Sequence, residues 1–527
     1  PNDPSYNQQC SLPAVKASQA WDFWDIENGI MPGNPEVLVA IVDSGVDWHH
    51  SDLVDNIWNN LGEDVDGDGH TIEFIGGSWV LDPGDLNGID DDGNGYDDDL
   101  IGWDTSGING VDDNDPMVPG SSGNWDHGTH VAGIAAAATD NNVGMASTSF
   151  NSKIISIKTK RDSADPNAGY NSSETFQGIL YAAKAGYYAG TFSIINCSWG
   201  NYQYNSYNQS VMNTAHNQWG AVIVAAAGNG DDDTGGEDYS PHYPSSYANV
   251  ISVAAIGCSG SWGHWATYHE TVDISAPGES VYSTIPGNGY ASYDGSSMAS
   301  PNVVSCFALL KSFYPDWDNT QLEDRILETA NSFIYEINDE EYLQGMLGEG
   351  MIDIHKAIGS LIYPNLYYLN QSLILQEGDG DNVLNPGESA QMRVTLGNEE
   401  GWLDANFVTT VLRCDDPEVT IMDSTANYST IYSGGMGVNI ADLFAFEISE
   451  NAGIGDIEFD LVVTAEGAEG YTTTYHISFP VSISLNHEGW PVEFLLDTLY
   501  NVETSPLVLD VTENGENEII FGDYSGY

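Results

Sequence analysis

Between Val37 and about Ala357 the chain alternates two patterns. Short, nearly continuous apolar runs, VLVAIV (37–42), KIISIK (153–158), FSIINC (192–197), AVIVAAA (221–227) and VISVAAI (250–256), are rich in β-branched residues and bounded by Gly, Asn or Ser. Between them, HGTHVAGIAAAA (127–138), SSETFQGILYAAKAGYYA (172–189) and SYNQSVMNTAHNQW (206–219) read as helices. Strands apolar on both faces and separated by helices predict a parallel sheet covered on both sides, an α/β fold with a doubly wound sheet. After Tyr363 the period shifts to two. SAQMRVTLGN, DANFVTTVLRC, EVTIMDS, ADLFAFEIS, GDIEFDLVVTA and TTTYHISFPVSI are separated by Gly, Asn and Asp turns, which predicts an all-β sandwich. Three regions are therefore expected: a domain over 1–363, a β-sandwich over 364–487, and a β tail over 488–527. A single hairpin is marginal alone, so the tail either packs on the sandwich or begins a truncated further domain.

A length of 527 residues agrees with this division, at roughly 150 residues per domain. Charge changes the picture more. There are 79 Asp and Glu against 11 Lys and Arg, a formal net charge of -68. No basic stripe is available to neutralise phosphates, which excludes nucleic-acid partners and disfavours anionic membrane surfaces. No Lys or Arg occurs between Lys16 and Lys153, a stretch holding 27 acids; a cation must sit there or the segment repels itself. Disorder is the alternative for such charge, but 41% hydrophobic residues, 14 Trp and 29 Tyr favour packed domains. The apolar runs fall short of the roughly 18 residues that span a bilayer, so no membrane insertion is expected. Pro1 opens the chain without a basic, apolar, small-residue leader, as expected of a chain that does not begin with a signal peptide. The five Cys show no C-x-x-C, which disfavours zinc and disulfide-exchange chemistry. Cys197 and Cys306 lie in apolar runs and are expected as buried thiols.

Three reactive side chains fall at strand-to-helix junctions. Asp43 ends a strand in VAIVDSGVD, His127 opens a helix in DHGTHVAG, and Ser297 opens another in YDGSSMASPNVV. Such junctions lie along one edge of a parallel sheet, so the three can converge although 84 and 170 residues separate them in sequence. A hydroxyl becomes a useful nucleophile when an imidazole takes its proton, and a buried carboxylate orients that imidazole and stabilises its cation. A helix N-terminus at Ser297 adds its own N–H toward an oxyanion, and Asn229 in AVIVAAAGNG is placed to give a second donor. Taken singly, each residue reads as a cap or turn; the combination points to acyl transfer.

These motifs, DSG, HGTHVAG, AAGN and GSSMASP in the order Asp, His, Asn, Ser, resemble those of subtilisin-like serine proteases (subtilases, peptidase family S8) over roughly residues 10–360. INCSWGN, ISAPGESVYST, YPSSYANVISVAAI and GMIDIHKAI add to the resemblance. It implies Asp43 as orienting carboxylate, His127 as general base then acid, Ser297 as nucleophile and Asn229 as oxyanion donor. Ser296 stands where the family usually has Thr. His130 in HGTH lacks the spacing of a zinc motif and is read as packing. The resemblance further implies that Ser198, Trp199 and Gly200 form an edge strand pairing with an extended peptide. Ala225, Ala226, Ala227 and Gly228 would form one wall of the primary pocket. Trp199, where the family often has Leu, is expected to tighten the neighbouring subsite.

The acids are also patterned. Asp64, Asp66 and Asp68 alternate before Gly69, and Asp90, Asp92 and Asn94 before Gly95, the spacing of an EF-hand-like loop around a hard cation. Glu73, or Asp98 and Asp99, would close the shells. A third loop counts Glu377, Asp379, Asp381, Val383, Asn385 and Glu388 at positions 1, 3, 5, 7, 9 and 12. It is similar to calcium-binding edges of immunoglobulin-like domains appended to secreted peptidases. A degenerate version at 510–523 looks like an FG-GAP propeller repeat. The alternative for each is a plain turn cluster.

The expectation is a secreted, monomeric serine endopeptidase, stabilised by structural Ca²⁺, acting on proteins or peptides. The rivals are a non-catalytic binding or adhesion protein on a protease scaffold, which the intact motifs disfavour, and glycoside hydrolysis by paired carboxylates, disfavoured by their metal-type spacing. Three Ca²⁺ would offset only about six charges, so salt is expected to stabilise the chain further by screening.

Overall fold

The computed structural model describes residues 1–107, 110–162, 165, 170–230, 240–377 and 383–484, with two short strands beyond them. The chain divides into two units, Pro1–Ile362 and Tyr363–Tyr527.

The strands of the first unit are β1 (Val37–Asp43), β2 (Ile72–Ile75), β3 (Ser78–Leu81), β4 (Gly102–Asp104), β5 (Lys153–Lys158), β6 (Phe192–Cys197), β7 (Val222–Ala226), β8 (Ile251–Ile256), β9 (Ile274–Pro277), β10 (Val281–Ile285) and β11 (Gly289–Tyr293). Seven of them form one sheet in the order β4-β5-β1-β6-β7-β8-β9, and every pairing in it is parallel. β2 with β3 and β10 with β11 form separate antiparallel hairpins.

β1 shows why its sequence is apolar without alternation. Val37, Val39 and Ile41 belong to the core shared with the helices His127–Ala136 and Ser296–Phe313. Leu38, Ala40 and Val42 belong to the core on the other face, with the helices Ser172–Tyr188 and Ser206–Asn217. All six are buried, each larger side chain contributing about 1.5–3 kcal/mol of transfer free energy. The doubly wound α/β expectation is thus met.

β1 sits between β5 and β6, where the strand order changes direction, and its carboxyl end carries Asp43. Crevices at such switch points are where open α/β sheets bind ligands. The helix Ser296–Phe313 is buried from Ser296 to Leu310 with Ser297 as the one partly exposed residue. It is a core helix, buried on every side, whose interior polar groups Ser300, Asn302 and Ser305 are hydrogen-bonded, with one reactive side chain at its start. Cys10 and Cys258 are joined by a disulfide, and Cys197 and Cys306 are buried free thiols, as their apolar surroundings require.

In the second unit two antiparallel sheets share one core. One orders Leu366–Glu377, Ser389–Asn398, Phe444–Ile448 and Val419–Asp423, with Met436–Val438 also on Ser389–Asn398. The other orders Thr425–Asn427, Asn406–Arg413, Gly455–Glu466 and Thr472–Ile483. Met392, Val394, Phe446, Leu461, Val463 and Phe479 point inward, while their neighbours along each strand are more exposed, the period of two that the sequence carries. Leu507–Leu509 pairs antiparallel with Glu518–Ile520; the remainder of the 510–523 repeat lies outside the described residues.

Close backbone approach fixes the His127 helix against β1. A Cβ on Gly128 would lie 2.3 Å from the Gly45 carbonyl oxygen and 3.2 Å from Asp43 Cβ. Gly128→Ala is therefore expected to destabilise the fold by about 1–3 kcal/mol, read as a lowered thermal midpoint; an unchanged midpoint contradicts this packing.

Candidate active site

Asp43 is fully buried, so its carboxylate must be solvated by protein donors. Oδ1 accepts from the Ser44 amide at 2.7 Å and from Tyr170 Oη at 2.9 Å. His127 Nδ1 lies 2.9 Å from Oδ1 and 3.0 Å from Oδ2. Burial alone would raise this carboxyl, but His127, Ser44 and Tyr170 hold it below its ordinary value. Burial opposes the charged form of His127 as well, yet Asp43, with a contribution from Asp126, outweighs it and raises the imidazole above its ordinary value. The end of β1 is pinned from behind: Thr159 donates N–H and Oγ1 to the Asp43 carbonyl, and Trp199 Nε1 donates to that of Val42 at 2.8 Å.

Ser297 Oγ donates to the Ser198 carbonyl at 3.1 Å rather than to His127, and Ser198 Oγ donates back to the Ser297 carbonyl at 2.8 Å. Buried Asn196 donates to Ser198 Oγ and accepts from Ser300 Oγ, tying the end of β6 to the helix start. Asn229 Oδ1 accepts from both the amide and the hydroxyl of Ser296, each at 2.8 Å. That double acceptance fixes the orientation of the carboxamide, leaving Nδ2 on the opposite side. A Cβ built on Gly295 would lie 3.6 Å from Asn229 Nδ2 and 3.6 Å from the Ser297 amide nitrogen, so the two donors border one space. Ser296 also accepts from the Gly228 amide at 3.1 Å; its hydroxyl suffices to join the Asn229 loop to the helix.

His130 is buried and stacks on Tyr293 at 4.3 Å, with Nε2 3.1 Å from the Ala291 carbonyl. Burial lowers its pKa to about 3, so it is a neutral packing residue. Trp199, expected to tighten a subsite, buries its indole beneath β1, edge-on to Phe176. Ala226, Ala227 and Gly228 lie at and beyond the end of β7. Between that segment and Gly200 stands His242: a Cβ on Gly200 would meet its Cε1 at 2.2 Å, and one on Gly228 its ring at 3.4 Å. Sequence reading missed His242 and Tyr170. His242 lies at the end of a stretch that no motif aligns, residues 231–239 of which are outside the described ones; Tyr170 follows a loop with no motif at all.

The acid-rich segment does not wrap simple loops. Asp64 and Asp66 gather with Asp85, whereas Asp68 gathers with His70, Glu73 and Asp82. Asp92 and Asp99 gather with Glu63, and Asn94 Nδ2 donates to both Asp92 and Asp99 at 3.0 Å. Asp90 and Asp98 turn to backbone amides instead, those of Gly93 and Gly95 and those of Asn87 and Gly88. The physical reason is that Asp90 is taken up by the turn that follows it, and Asp98 by the amides of the earlier Asn87–Gly88 turn. Burial, then repulsion from Asp92 and Asp91, pushes Glu63 up to about 7; burial, then Asp92 and Glu63, pushes Asp99 up to about 8. The buried oxygens Glu63 Oε2 and Asp85 Oδ2 have no hydrogen-bond partner, and among the described residues no Lys or Arg pairs with these clusters. Hard oxygens without donors suit a bound cation. In the sandwich, Asn385 Nδ2 donates to the Val383 carbonyl and its amide to Glu388 Oε2; Asp379, Asp381 and the Glu377 side chain lie outside the described residues.

A carboxylate at the carboxyl end of β1 with an imidazole and a hydroxyl at the starts of two helices, one entered from a loop and the other from the antiparallel β10–β11 hairpin, has the chemistry of acyl transfer. A model of the subtilase family, Peptidase_S8, matches residues 34–350. Thermitase from Thermoactinomyces vulgaris is 32% identical over 313 residues, 59% of this chain and 85% of that protein. Thermophilic serine proteinase from Bacillus sp. strain AK1 is 31% identical over 335 residues, 63% of this chain and 64% of that one. A solved structure of proteases from Pseudoalteromonas arctica aligns at 24% identity with a TM-score of 0.49, covering 68% of this chain and 98% of that chain. By the family match and the thermitase identity, the chain belongs to the subtilase family and is a subtilisin-like serine endopeptidase.

Tyr170→Phe removes one donor from Asp43 and leaves more of its negative charge facing the imidazole. The His127 pKa, followed by NMR titration, is expected to rise, and the acid limb of kcat/KM to move to higher pH with it. An unmoved titration would show that the Tyr170 bond carries no weight.

Proposed function

We propose that the chain is a secreted, calcium-stabilised endopeptidase working through Asp43, His127 and Ser297, with Asn229 as oxyanion donor. The observation that carries this reading is the Asp43–His127 pair at the end of β1 together with a helix-start serine, tied to Ser198 just past the end of the neighbouring β6, whose amide and the Asn229 carboxamide border one space. Ser297 Oγ turns from the Ser198 carbonyl toward His127, gives its proton to Nε2 and attacks the scissile carbonyl carbon. Asp43 holds the proton on Nδ1 and stabilises the imidazolium. The oxyanion takes hydrogen bonds from the Ser297 amide and Asn229 Nδ2. The imidazolium then protonates the leaving amine, and water, deprotonated by the same imidazole, hydrolyses the acyl-enzyme. Because His127 must be neutral to accept the proton and its pKa is raised, activity falls as pH drops through a value above the ordinary 6.5.

Ser198, Trp199 and Gly200 pair with the extended substrate through their backbone, a mode that gives affinity with little sequence preference, and Ala226 to Gly228 border the primary pocket. The Cys10–Cys258 disulfide supports an oxidising, extracellular setting. Among the described residues no helix is long and apolar enough to cross a membrane.

Calcium at Glu63, Asp92 and Asp99, and at Asp64, Asp66 and Asp85, would supply the positive charge these carboxylates lack; Val383, Asn385 and Glu388 would contribute to a third site. The role is structural, since calcium offsets repulsion within the segment and leaves the acyl chemistry to the triad.

Ser297→Ala is expected to lower casein hydrolysis by about a million-fold, the size of the effect in subtilisin, and to abolish labelling by a fluorophosphonate. Retained hydrolysis refutes the assignment. For calcium, EDTA is expected to lower the thermal midpoint and calcium at about 100 times its Kd to restore about 2.7 kcal/mol per site. Glu63→Gln should raise the midpoint in EDTA, by removing one repelling carboxylate, and shrink the gain from calcium. A melt indifferent to EDTA, with no metal found by elemental analysis, sinks the calcium reading.

A further inference from the structure

One cluster in the acid-rich segment differs in kind from the others, because one of its donors is nitrogen. Asp68, His70, Glu73 and Asp82 each offer a ligand atom, and these atoms all lie within 4.8 Å of one another. The hairpin of β2 and β3 sets them. His70 comes just before β2 and Asp82 just after β3, closed by the Asp82 amide donating to the Thr71 carbonyl at 3.0 Å, while Glu73 lies on β2 opposite Val80. Asp82 is 2% exposed. Its Oδ1 accepts from the Gly84 amide at 2.6 Å, but its Oδ2 has no hydrogen-bond partner and faces His70 Nδ1 at 3.5 Å. His70 Nδ1 is itself buried without a hydrogen bond and lies 3.2 Å from Asp68 Oδ1.

We propose that Asp68, His70, Glu73 and Asp82 bind one divalent transition-metal ion of the zinc type, separately from the oxygen-only clusters. Donors around a tetrahedral ion with bonds of about 2.0–2.1 Å stand about 3.3–3.4 Å apart, and the two His70 separations bracket that spacing. Calcium takes six to eight oxygens, whereas imidazole beside carboxylates suits Zn²⁺ and its neighbours. An unpartnered carboxylate oxygen, buried and aimed at an unpartnered ring nitrogen, is the arrangement such an ion completes. This site is independent of the triad and of the calcium reading.

The test uses the full chain inactivated with a fluorophosphonate and held in excess Ca²⁺, titrated calorimetrically with ZnCl₂ and, separately, with CoCl₂ while the visible absorption is recorded. The expected result is one equivalent of Zn²⁺ bound despite the calcium, with affinity lowered at least tenfold in His70→Ala and in Asp82→Asn but kept in Glu340→Gln, an exposed acid outside every cluster. The cobalt spectrum should be that of a four-coordinate ion and should vanish in His70→Ala. His70→Cys, which restores a ligand at the same position, should recover Zn²⁺ binding and add a thiolate-to-cobalt band, separating ligation from a damaged hairpin. No uptake above calcium, uptake unchanged in His70→Ala, or displacement by Ca²⁺ overturns the proposal; His70 then serves only to pair with Asp68 and Asp82.

Discussion

A carboxylate taken wholly out of water must be met by donors from every side, and the site is arranged around that demand at Asp43. The Ser44 amide, Tyr170 Oη and His127 Nδ1 meet it, and each comes from a different part of the chain. Satisfying it requires the end of β1 to be fixed, which Thr159 and Trp199 do through backbone carbonyls. It also requires the His127 helix to lie against Gly45, which only a glycine at 128 permits. The same burial that makes the charge costly makes its effect on His127 large, because little solvent screens it. Raising the imidazole and lowering the carboxylate are two consequences of one enclosed pair.

The acid-rich segment faces the same demand under worse conditions. Lys153 donates to the Asp55 carbonyl, Lys158, fully buried, pairs with Asp104 and Asp162, and Arg161 pairs with Glu174, so these basic residues are engaged away from the clusters around Glu63, Asp85 and Asp82. Glu63, Asp92 and Asp99 have neutral donors around them, including Asn60, Asn94 and Tyr181. Neutral donors orient a carboxylate without cancelling its charge, and the raised values at Glu63 and Asp99 record the remainder. The net charge of -68 is therefore not uniform surface acidity. Part of it is concentrated in sites whose geometry is set by turns and by the β2–β3 hairpin.

Much of the scaffold was legible in advance. Runs apolar on both faces can be satisfied only between two helix layers, so the parallel sheet followed from the sequence, and alternation after Tyr363 gave the sandwich in the same way. The motif residues were legible because a strand end and a helix start are local events, marked by Gly, Ser and Asp at fixed offsets, although the His127 helix is entered from a loop and the Ser297 helix from the β10–β11 hairpin rather than from strands of the parallel sheet. Tyr170 and His242 were not, because each acts through distance rather than spacing: 127 residues separate Tyr170 from Asp43. The alternate acids were legible as ion-type loops but not in their grouping. An Asx turn and a remote partner compete for the same oxygen, and Asp85, Glu63 and Asp82 entered from outside each loop.

By itself, then, the sequence determined the layers of this protein and the identity of its reactive groups, since both depend on hydrophobic period and on local turn chemistry. Tertiary structure alone decided which donors surround Asp43, that Trp199 faces the core, and which carboxylates share a cation-sized space. Those outcomes depend on side chains meeting across the fold, where burial and the need to satisfy every polar atom act on partners that no local pattern names.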